Sequence, residues 1–392
     1  MTSEYKRAEN WAGGANNVAQ PDKLPAGDVR QLINMDATPG GTLEKRPGYE
    51  RVAAFAGVRA VGKAGSKVIV VNETAAHAYD PQTNSSIAIA DGEISPGKVA
   101  ITEFNDTAYI STANETFKTR GDVLKNWSVD APYPNITLES GSISGLTRVA
   151  LTAIGDDGEE SGCTPLIYSL KNQNLIVSSN NPRRIKLYAS KPDQETLFYQ
   201  FDVVGTVRLQ SVRDDSERLV TAHMRPFPPC SQLISTKAVI IGVERNMLYV
   251  SMPMMPNLHD PIAGFFQYSS SINVVAATEG GVFVCTETET YFLTGINSTP
   301  SQQKIANYGA VKGTGAELPD GRACWFTRYG QAIGGNDGGV TLLNSGKLSP
   351  DIAENGASGL IESAGNQSIV TTMRGAVKPG SMGIGFKSTL EI

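Results

Sequence analysis

The sequence predicts an all-β protein, a β-propeller-like fold of about five to six blades with an inserted β-sandwich domain. Three observations predict this class: turn-forming residues are abundant, short apolar strands recur as hairpins, and the hairpins are spaced like propeller blades. Glycine and proline account for 40 and 21 of the 392 residues, which is above average usage and indicates many short strands joined by turns. A chain of this length can bury a large core, in two or three domains or in one large β domain with an insertion.

Five hairpins pair an apolar strand with a strand that carries Tyr, Phe or Leu across a polar turn. We expect the first three turns at residues 72–74, 105–106 and 245–246. The glycine-rich segment 334–340, GGNDGGV, has turn composition and matches neither a GxGxxG nor a P-loop lysine pattern. In chain order the hairpins span residues 67–80, 98–112, 237–251, 281–295 and 322–344, with a weaker sixth candidate at 368–386.

The spacing of the hairpins favours blades over a jelly roll, which would space its strands evenly. The first two hairpins begin 31 residues apart, and the last three begin 44 and 41 residues apart. A unit that recurs about every 40 residues is typical of a propeller. The gap from 98 to 237 is longer by roughly the length of a small domain.

Residues 131–222 fill that gap and read as an inserted module. Segments 144–170 and 184–205 each contain two strand-like runs around a polar turn. The module resembles a fibronectin type III or immunoglobulin-like sandwich of about seven short strands. Around it we expect an N-terminal arm with a ring-closing strand, the first blades and the remaining blades, at 1–50, 51–130 and 223–392.

Helix is expected only at 349–365, where Ser349 is placed as the N-cap and Pro350 as the first helical residue. The four cysteines, at 163, 230, 285 and 324, are far apart. They are interpreted as small buried hydrophobic residues instead of a disulfide or metal site.

No residue pattern predicts an enzyme, a cofactor site or a metal site. The acidic segment 155–162, GDDGEESG, lacks the alternating ligands of a calcium loop of the EF-hand kind and is interpreted as a solvated hairpin turn. His259 precedes Asp260, but we interpret it as a surface-loop histidine because no nucleophile is placed beside it. Arg183, Arg184 and Arg213 lie in or just after the insertion, which argues against a sialidase-like site on separate blades.

The segment 252–268, MPMMPNLHDPIAGFFQY, is predicted to be a mobile, apolar, non-helical loop. Its simplest interpretation is a loop that packs on its own blade. The alternative is a loop that contacts a neighbouring subunit or lines an opening. The candidate subunit-interface or channel-loop residues in it are Met252, Met254, Met255, Phe265 and Phe266.

Residues 11–52 resemble the N-terminus of the tail nozzle (tail hub, tail tubular protein B-like) proteins of short-tailed phages. The family pattern is a Gly-x-Asn-Asn segment, a Leu-Pro element, an Asn-x-Asp strand, and a Pro-Gly-Gly turn before a basic Arg-Pro-Gly. Segments 245–295 and 307–314 resemble the second half of the same family. The matching N-terminal residues are Gly14, Asn16, Asn17, Leu24, Pro25, Asn34, Asp36, Pro39, Gly40, Gly41, Lys45, Arg46, Pro47 and Gly48.

The resemblance implies a virion structural protein of the tail that is assembled in the host cytoplasm. About six copies would form a ring that conducts genomic DNA into the host without binding it specifically. Tail adaptor or portal-proximal proteins are expected partners, and tail fibres or spikes are possible ones. The net charge of −5 suits such a conduit, since a wall that bound phosphates would slow the duplex. No apolar run approaches about 18 residues, so stable membrane insertion is not expected.

The N-terminal residues also allow a physical interpretation. A strand of the arm that paired with the last blade would close the ring and cover exposed sheet edges. Pro39-Gly40-Gly41 permits a tight reversal. The guanidinium of Arg46 is then held ready for a carboxylate or carbonyl oxygen, and we interpret it as structural, with contact to another subunit as the alternative. The rival functions are a carbohydrate-binding or glycoside-hydrolysing propeller and another tail component, such as an adaptor, stopper or baseplate hub.

Overall fold

The computed structural model of the chain describes residues 10–38, 40–46, 48, 51, 53–90, 92, 94–343, 346–348, 352–363 and 366–378. These residues form β-strands and a single 3₁₀ turn, Pro21–Lys23, so the predicted all-β class is confirmed. The chain divides into two compact units, Phe55–Gln267 on the one hand and Met1–Ala54 with Tyr268–Ile392 on the other.

The described N-terminal arm contains four short strands, which form two separate two-stranded sheets. The predicted reversal is confirmed, because the amide of Gly41 donates to the carbonyl oxygen of Thr38 at 2.9 Å. Gly41 has a φ of 83°, a left-handed value that glycine adopts without strain. Pro39, Pro47 and residues 49, 50 and 52 of the segment 11–52 lie outside the described residues. The strands are β1 (Gly14–Ala15), β2 (Asp28–Val29), β3 (Met35–Ala37) and β4 (Leu43–Lys45).

The unit Phe55–Gln267 begins with two four-stranded antiparallel meanders. Both predicted hairpins are confirmed, as the middle strands of the first meander and the first two strands of the second. The first meander comprises β5 (Ala60–Ala64), β6 (Lys67–Val71), β7 (Ala76–Asp80) and β8 (Ser85–Ala90). The second comprises β9 (Ala100–Phe104), β10 (Thr107–Ser111), β11 (Thr116–Thr119) and β12 (Lys125–Asn126).

The inserted module forms one five-stranded antiparallel sheet in the order β16-β15-β13-β14-β17. Its two long strands change register between Ser140, Ile143 and Gly145, and such bulges bend a sheet. One face encloses an apolar core that includes Leu151, Leu175 and other residues of all five strands. The strands are β13 (Asn135–Ala153), β14 (Leu166–Ser179), β15 (Ile185–Ala189), β16 (Phe198–Val203) and β17 (Gly205–Leu209).

The sandwich interpretation of 131–222 is therefore not confirmed. The sequence pattern identified runs of alternating residues, but it could not separate two packed sheets from one sheet that bends, since both bury alternate side chains.

A third meander, β19-β20-β21-β23, follows the module, and β22 and β18 extend it from β21. The third predicted hairpin is confirmed as β20–β21. Its Arg245 and the turn residues Asn105 and Asp106 of the second meander have φ values of 55°, 50° and 57°, which a tight hairpin turn requires. The strands are β18 (Arg225–Pro226), β19 (Gln232–Thr236), β20 (Val239–Glu244), β21 (Met247–Met252), β22 (Met255–His259) and β23 (Phe265–Gln267).

The three meanders of this unit pack through their first strands. β9 lies against β5 on one side and against β19 on the other. The approach is close, because a side chain on Gly62 of β5 would collide with Ile101 of β9. Successive meanders are therefore stacked side by side, with their first strands at a common edge.

The other unit contains the fourth and fifth meanders, and the last two predicted hairpins are confirmed as β25–β26 and β29–β30. The segment 335–339 is the predicted turn into the last strand. In this unit the first strand of one meander, β24, contacts the first two strands of the next, β28 and β29. The strands are β24 (Ile272–Ala277), β25 (Val282–Thr286), β26 (Thr290–Thr294), β27 (Ser301–Ala306), β28 (Ala316–Glu317), β29 (Ala323–Thr327), β30 (Gly330–Gly334) and β31 (Val340–Leu342).

The helix predicted at 349–365 is wrong over its described part, which forms β32 (Ile352–Ser363). β32 pairs along its length with β33 (Asn366–Lys378), whose β-branched run 369–372 favours a strand. Long-range pairing thus outweighs the local helix signals, and Ser349 and Pro350 lie outside the described residues. The weaker sixth hairpin is not found up to residue 378, because β33 continues as a single strand to that point.

The ring-closing strand predicted in the arm is also not found among the described residues. β1 pairs with β2 and β3 pairs with β4, and none of them pairs with the fifth meander. The arm is held to the residues after β31 in another way, through hydrogen bonds of the backbone and the side chain of Lys347.

Candidate functional site

Arg46 directly follows β4, and its Nε donates to Oδ1 of Asp36 at 2.8 Å. Both side chains are about half exposed, so this ion pair joins the two strands of its own hairpin at the surface. The guanidinium also lines a groove of about 480 Å³ whose apolar wall includes Leu318, Phe326 and Leu360. Arg46 therefore has a carboxylate partner, as predicted, and its contact with a second subunit remains a prediction.

The methionine-rich segment is not a loop but a tight hairpin of β21 and β22. Met252 pairs with Met255 across the turn, and Met254 occupies the turn with a φ of 58° and 62% of its surface exposed. Phe265 and Phe266 lie in β23 and are half-buried against β21. The structure thus brings five of the six predicted site residues together on the third meander, and their role as a subunit contact remains a prediction.

β22 is the place where the two ends of the inserted module meet. Before the module, Trp127 Nε1 donates to the carbonyl oxygen of Pro256 at 3.0 Å, and Ser128 Oγ donates to that of Asn257 at 2.9 Å. After the module, the amide of Phe227 donates to the carbonyl oxygen of Asn257 at 3.0 Å. The side-chain amide of Asn257 also donates to the carbonyl oxygen of Glu160 in the module at 2.9 Å.

A series of aromatic rings runs through this junction. Tyr109 contacts Trp127 with ring centroids 4.9 Å apart, and Trp127 stacks on Phe227 at 5.0 Å. Phe227 then contacts His259 edge to face at 6.2 Å, and His259 contacts Tyr249 in the same way at 5.8 Å. Trp127 and Phe227 are fully buried in a core shared with the second and third meanders. We refer to these five residues and Asn257 as the module junction.

The position of His259 corrects its interpretation as a surface-loop residue, because it ends β22 and is 9% exposed. The carboxylate of Asp260 accepts the amides of Ile262 and Ala263 at 2.8 and 3.1 Å, so it caps a turn. Burial lowers the pKa of His259 below its ordinary value of 6.5. The ring is therefore neutral at pH 7.

The acidic segment 155–162 forms the predicted turn, but it is not simply solvated. Lys118 of β11 is buried and contacts Asp157 Oδ2 at 2.8 Å and Glu159 Oε1 at 2.6 Å. Lys125 of β12 contacts Asp157 Oδ1 at 2.6 Å. Hydrogen bonds from these two ammonium groups lower the pKa of Asp157 to about 2. The acidic turn therefore fastens the module to the second meander by ion pairs.

The Asn-Asn motif of the arm forms a buried polar network. Asn16 and Asp28 are each 5% exposed, and Asn16 Nδ2 donates to Asp28 Oδ2 at 2.7 Å. Lys347 Nζ donates to Asp28 Oδ1 at 3.1 Å and to the carbonyl oxygen of Gly13 at 3.0 Å. The hydrogen bond from Asn16, and then the one from Lys347, lower the pKa of Asp28. This arm network ties the N-terminal segment to the residues that follow the fifth meander.

The four cysteines are buried and form no disulfide, as predicted. Burial raises the pKa of the Cys285 thiol to about 12 and that of Cys324 to about 11, so neither is a thiolate at neutral pH. Within the described part of the chain, no group of three or more His, Cys, Asp or Glu side chains is arranged to hold a metal ion.

Sequence reasoning missed Trp127, Asn257 and Lys347 as anchoring residues. Trp127 carried a usable signal, since a tryptophan at the predicted boundary of a module is unusual among solvated linkers and is expected to be buried. Asn257 and Lys347 carried no such signal, because each acts through a partner that is distant in the sequence.

Comparison with known proteins assigns no family to this chain: no family model matches it, and no curated protein matches it. Among solved structures it is similar to apo AztD from Citrobacter koseri, at 10% identity over 72% of this chain and 71% of that one, with a TM-score of 0.32. It is also similar to the Pan2 WD40 domain of Neurospora crassa, at 8% identity over 82% and 80% of the two chains, with a TM-score of 0.34. Similarities this low define neither a family nor a function.

None of the described residues belongs to a helix that is long and apolar enough to cross a membrane.

Proposed function

We propose that the five meanders are blades of a β-propeller and that residues 131–222 are a module inserted between the second and third blades. The observation that carries the proposal is the packing of first strand against first strand. β5, β9 and β19 follow this arrangement in one compact unit, and in the other β24 contacts both β28 and the second strand β29. In a propeller the first strand of each blade faces the central channel, so neighbouring first strands lie closest together.

On this architecture we propose a virion structural protein, a tail nozzle or hub whose subunits form a ring for genome ejection. The resemblance of residues 11–52 to phage tail nozzle proteins selects this function among propeller proteins. The arm network supports it, because the motif residue Asn16 is buried and bonded to Asp28, which gives the motif a structural role.

Subunit contacts in the ring would use Arg46 and the exposed hairpin turn at Met254. Met254 exposes 62% of its surface in a tight hairpin turn, and Arg46 lines a groove with an apolar wall. Methionine and arginine are enriched in protein interfaces relative to the rest of the surface. Identical heterologous contacts between copies close into a ring when the rotation between them closes.

The test is the oligomeric state and shape of the purified protein, measured by light scattering and by negative-stain electron microscopy. We expect rings of about six copies, and Met254→Asp should shift the population toward monomers without unfolding the chain. Val204→Asp is the matched control, because Val204 is even more exposed and lies in the module.

Two outcomes would contradict the proposal. One is a protein that remains monomeric at high concentration and is absent from purified virions by mass spectrometry. The other is specific binding on a glycan array together with hydrolase activity, which would favour a carbohydrate-active propeller. Rings found at the neck of the particle instead of the distal tail would favour an adaptor or stopper.

A further inference from the structure

His259 occupies an unusual position in the module junction. Its Nδ1 is buried and has no hydrogen-bond partner among the described residues. Backbone hydrogen bonds with Pro226 and Arg225 of β18 favour the protonated ring, but burial outweighs them and lowers the pKa of His259. Proline has no backbone N–H, so the backbone group of Pro226 is a carbonyl and the histidine is the donor.

A proton on Nδ1 would place a donor and a charge where no described acceptor lies. The faces around the ring are formed by Phe227 and Tyr249, which cannot solvate an imidazolium as water does. Opening this contact would hydrate the charge. It would also separate β22 from β18, since Arg225 and Pro226 pair with His259 and Leu258.

The charged groups that act on His259 do not compensate for this cost. Asp260, next to it in the chain, favours the protonated ring, but its carboxylate is engaged by two turn amides. Arg225, on the strand packed against it, disfavours the protonated ring. Tyr249, on β21, is the titratable ring in contact, and burial raises the pKa of its hydroxyl, so it stays neutral.

We propose that His259 is a pH-sensitive latch whose protonation releases β22 from the chain that leaves the module. Acid would then loosen the module at its junction while the meander cores stay folded. The consequence is local, because the amide of Phe227 and the side chain of Trp127 both bond to β22 and lose their partners when it moves.

The first experiment uses the full chain with His77→Gln and His223→Gln, which leaves His259 as the sole imidazole of the three histidines. Nuclear magnetic resonance would follow the imidazole from pH 7.5 to pH 5, and hydrogen exchange would follow the amide of Phe227 over the same range. We expect the ring to titrate below 6.5, the ordinary value. The protection of the Phe227 amide should fall by up to about tenfold per pH unit, the limit for one linked proton.

The control amide is that of Val284 in β25, which lies in the other compact unit and should keep its protection. Adding His259→Gln, which retains a donor but cannot take up a proton, should abolish the pH dependence at Phe227. Three results would overturn the latch: an imidazole that titrates at or above 6.5, protection at Phe227 that does not follow the titration, or a pH dependence that survives His259→Gln. The first two need only the histidine-bearing protein, so they decide the question even if the glutamine variant does not fold.

Discussion

The module junction and the arm network both anchor a segment to strands far from it in the sequence, but they use opposite chemistry. The junction buries aromatic rings, and its hydrogen bonds run to backbone carbonyl groups. The arm network buries an amide and a carboxylate, and its cation, Lys347, is half exposed. Burial of the uncharged rings of the junction depends little on salt, and its proposed pH dependence rests on His259 alone, whereas a carboxylate–ammonium pair depends on both salt and pH. The comparison therefore separates an anchor based on packing from one based on charge.

The largest effect is expected from Trp127→Ala at the junction. Removal of a fully buried indole leaves a cavity and should lower the free energy of unfolding of the Phe55–Gln267 unit by about 3–5 kcal/mol. Urea unfolding monitored by circular dichroism measures it.

Trp127→Phe is the matched control, since it keeps most of the ring stack and loses mainly the hydrogen bond to Pro256. Its loss should be closer to about 1 kcal/mol. Equal losses in the two variants would mean that the hydrogen bond, and not the packing of rings, is the anchor.

A smaller effect is expected from Asp28→Asn in the arm network. The substitution keeps the shape but removes the charge that accepts from Lys347 and Asn16, and hydrogen bonds to a charged group contribute about 2 kcal/mol. The same unfolding experiment measures the loss, which should shrink in high salt because Lys347 is exposed to solvent.

The control is Asp36→Asn, which breaks the surface pair with Arg46 and should cost less than about 1 kcal/mol. If the two variants were equally stable, the arm network would be no more than another surface pair.

The ion pairs of the acidic turn give an effect that appears only in acid. The pKa of Asp157 is lowered to about 2 from an ordinary value of 3.8. The folded state therefore binds its proton less readily than the unfolded state does. Its stabilisation is complete above pH 3.8 and is lost as the pH falls through that value toward 2. Acid titration of the unfolding free energy should show this loss, and Asp157→Asn should flatten it.

Lys125→Met separates the contribution of the partly exposed ammonium group from that of buried Lys118. We expect it to shift the acid transition part of the way toward that of Asp157→Asn, because Lys118 keeps both of its carboxylate partners while one of the two hydrogen bonds that lower the pKa of Asp157 is lost. If Asp157→Asn leaves the acid transition unchanged, the turn is held by backbone contacts and not by its ion pairs.

Much of the strand order could be predicted, because hairpins are encoded locally. The turns at Asn105-Asp106 and Arg245-Asn246 lie between runs of alternating apolar residues, and the structure places both as predicted. The helix predicted at 349–365 could not be rejected in this way, because Ser349 and Pro350 are local helix signals. The strand found there is stabilised by pairing between β32 and β33 along nearly their whole length, which those two residues do not reveal.

The amino-acid sequence by itself determined the all-β class, the five hairpins and the burial of the cysteines, because these depend on neighbouring residues and on side-chain polarity. Only the tertiary structure decided that the module is one sheet, that His259 is buried and that Trp127 meets Pro256. Those two residues are separated by 129 positions. A contact across that distance leaves no period or spacing in the sequence, so it appears only once the strands between them have been packed.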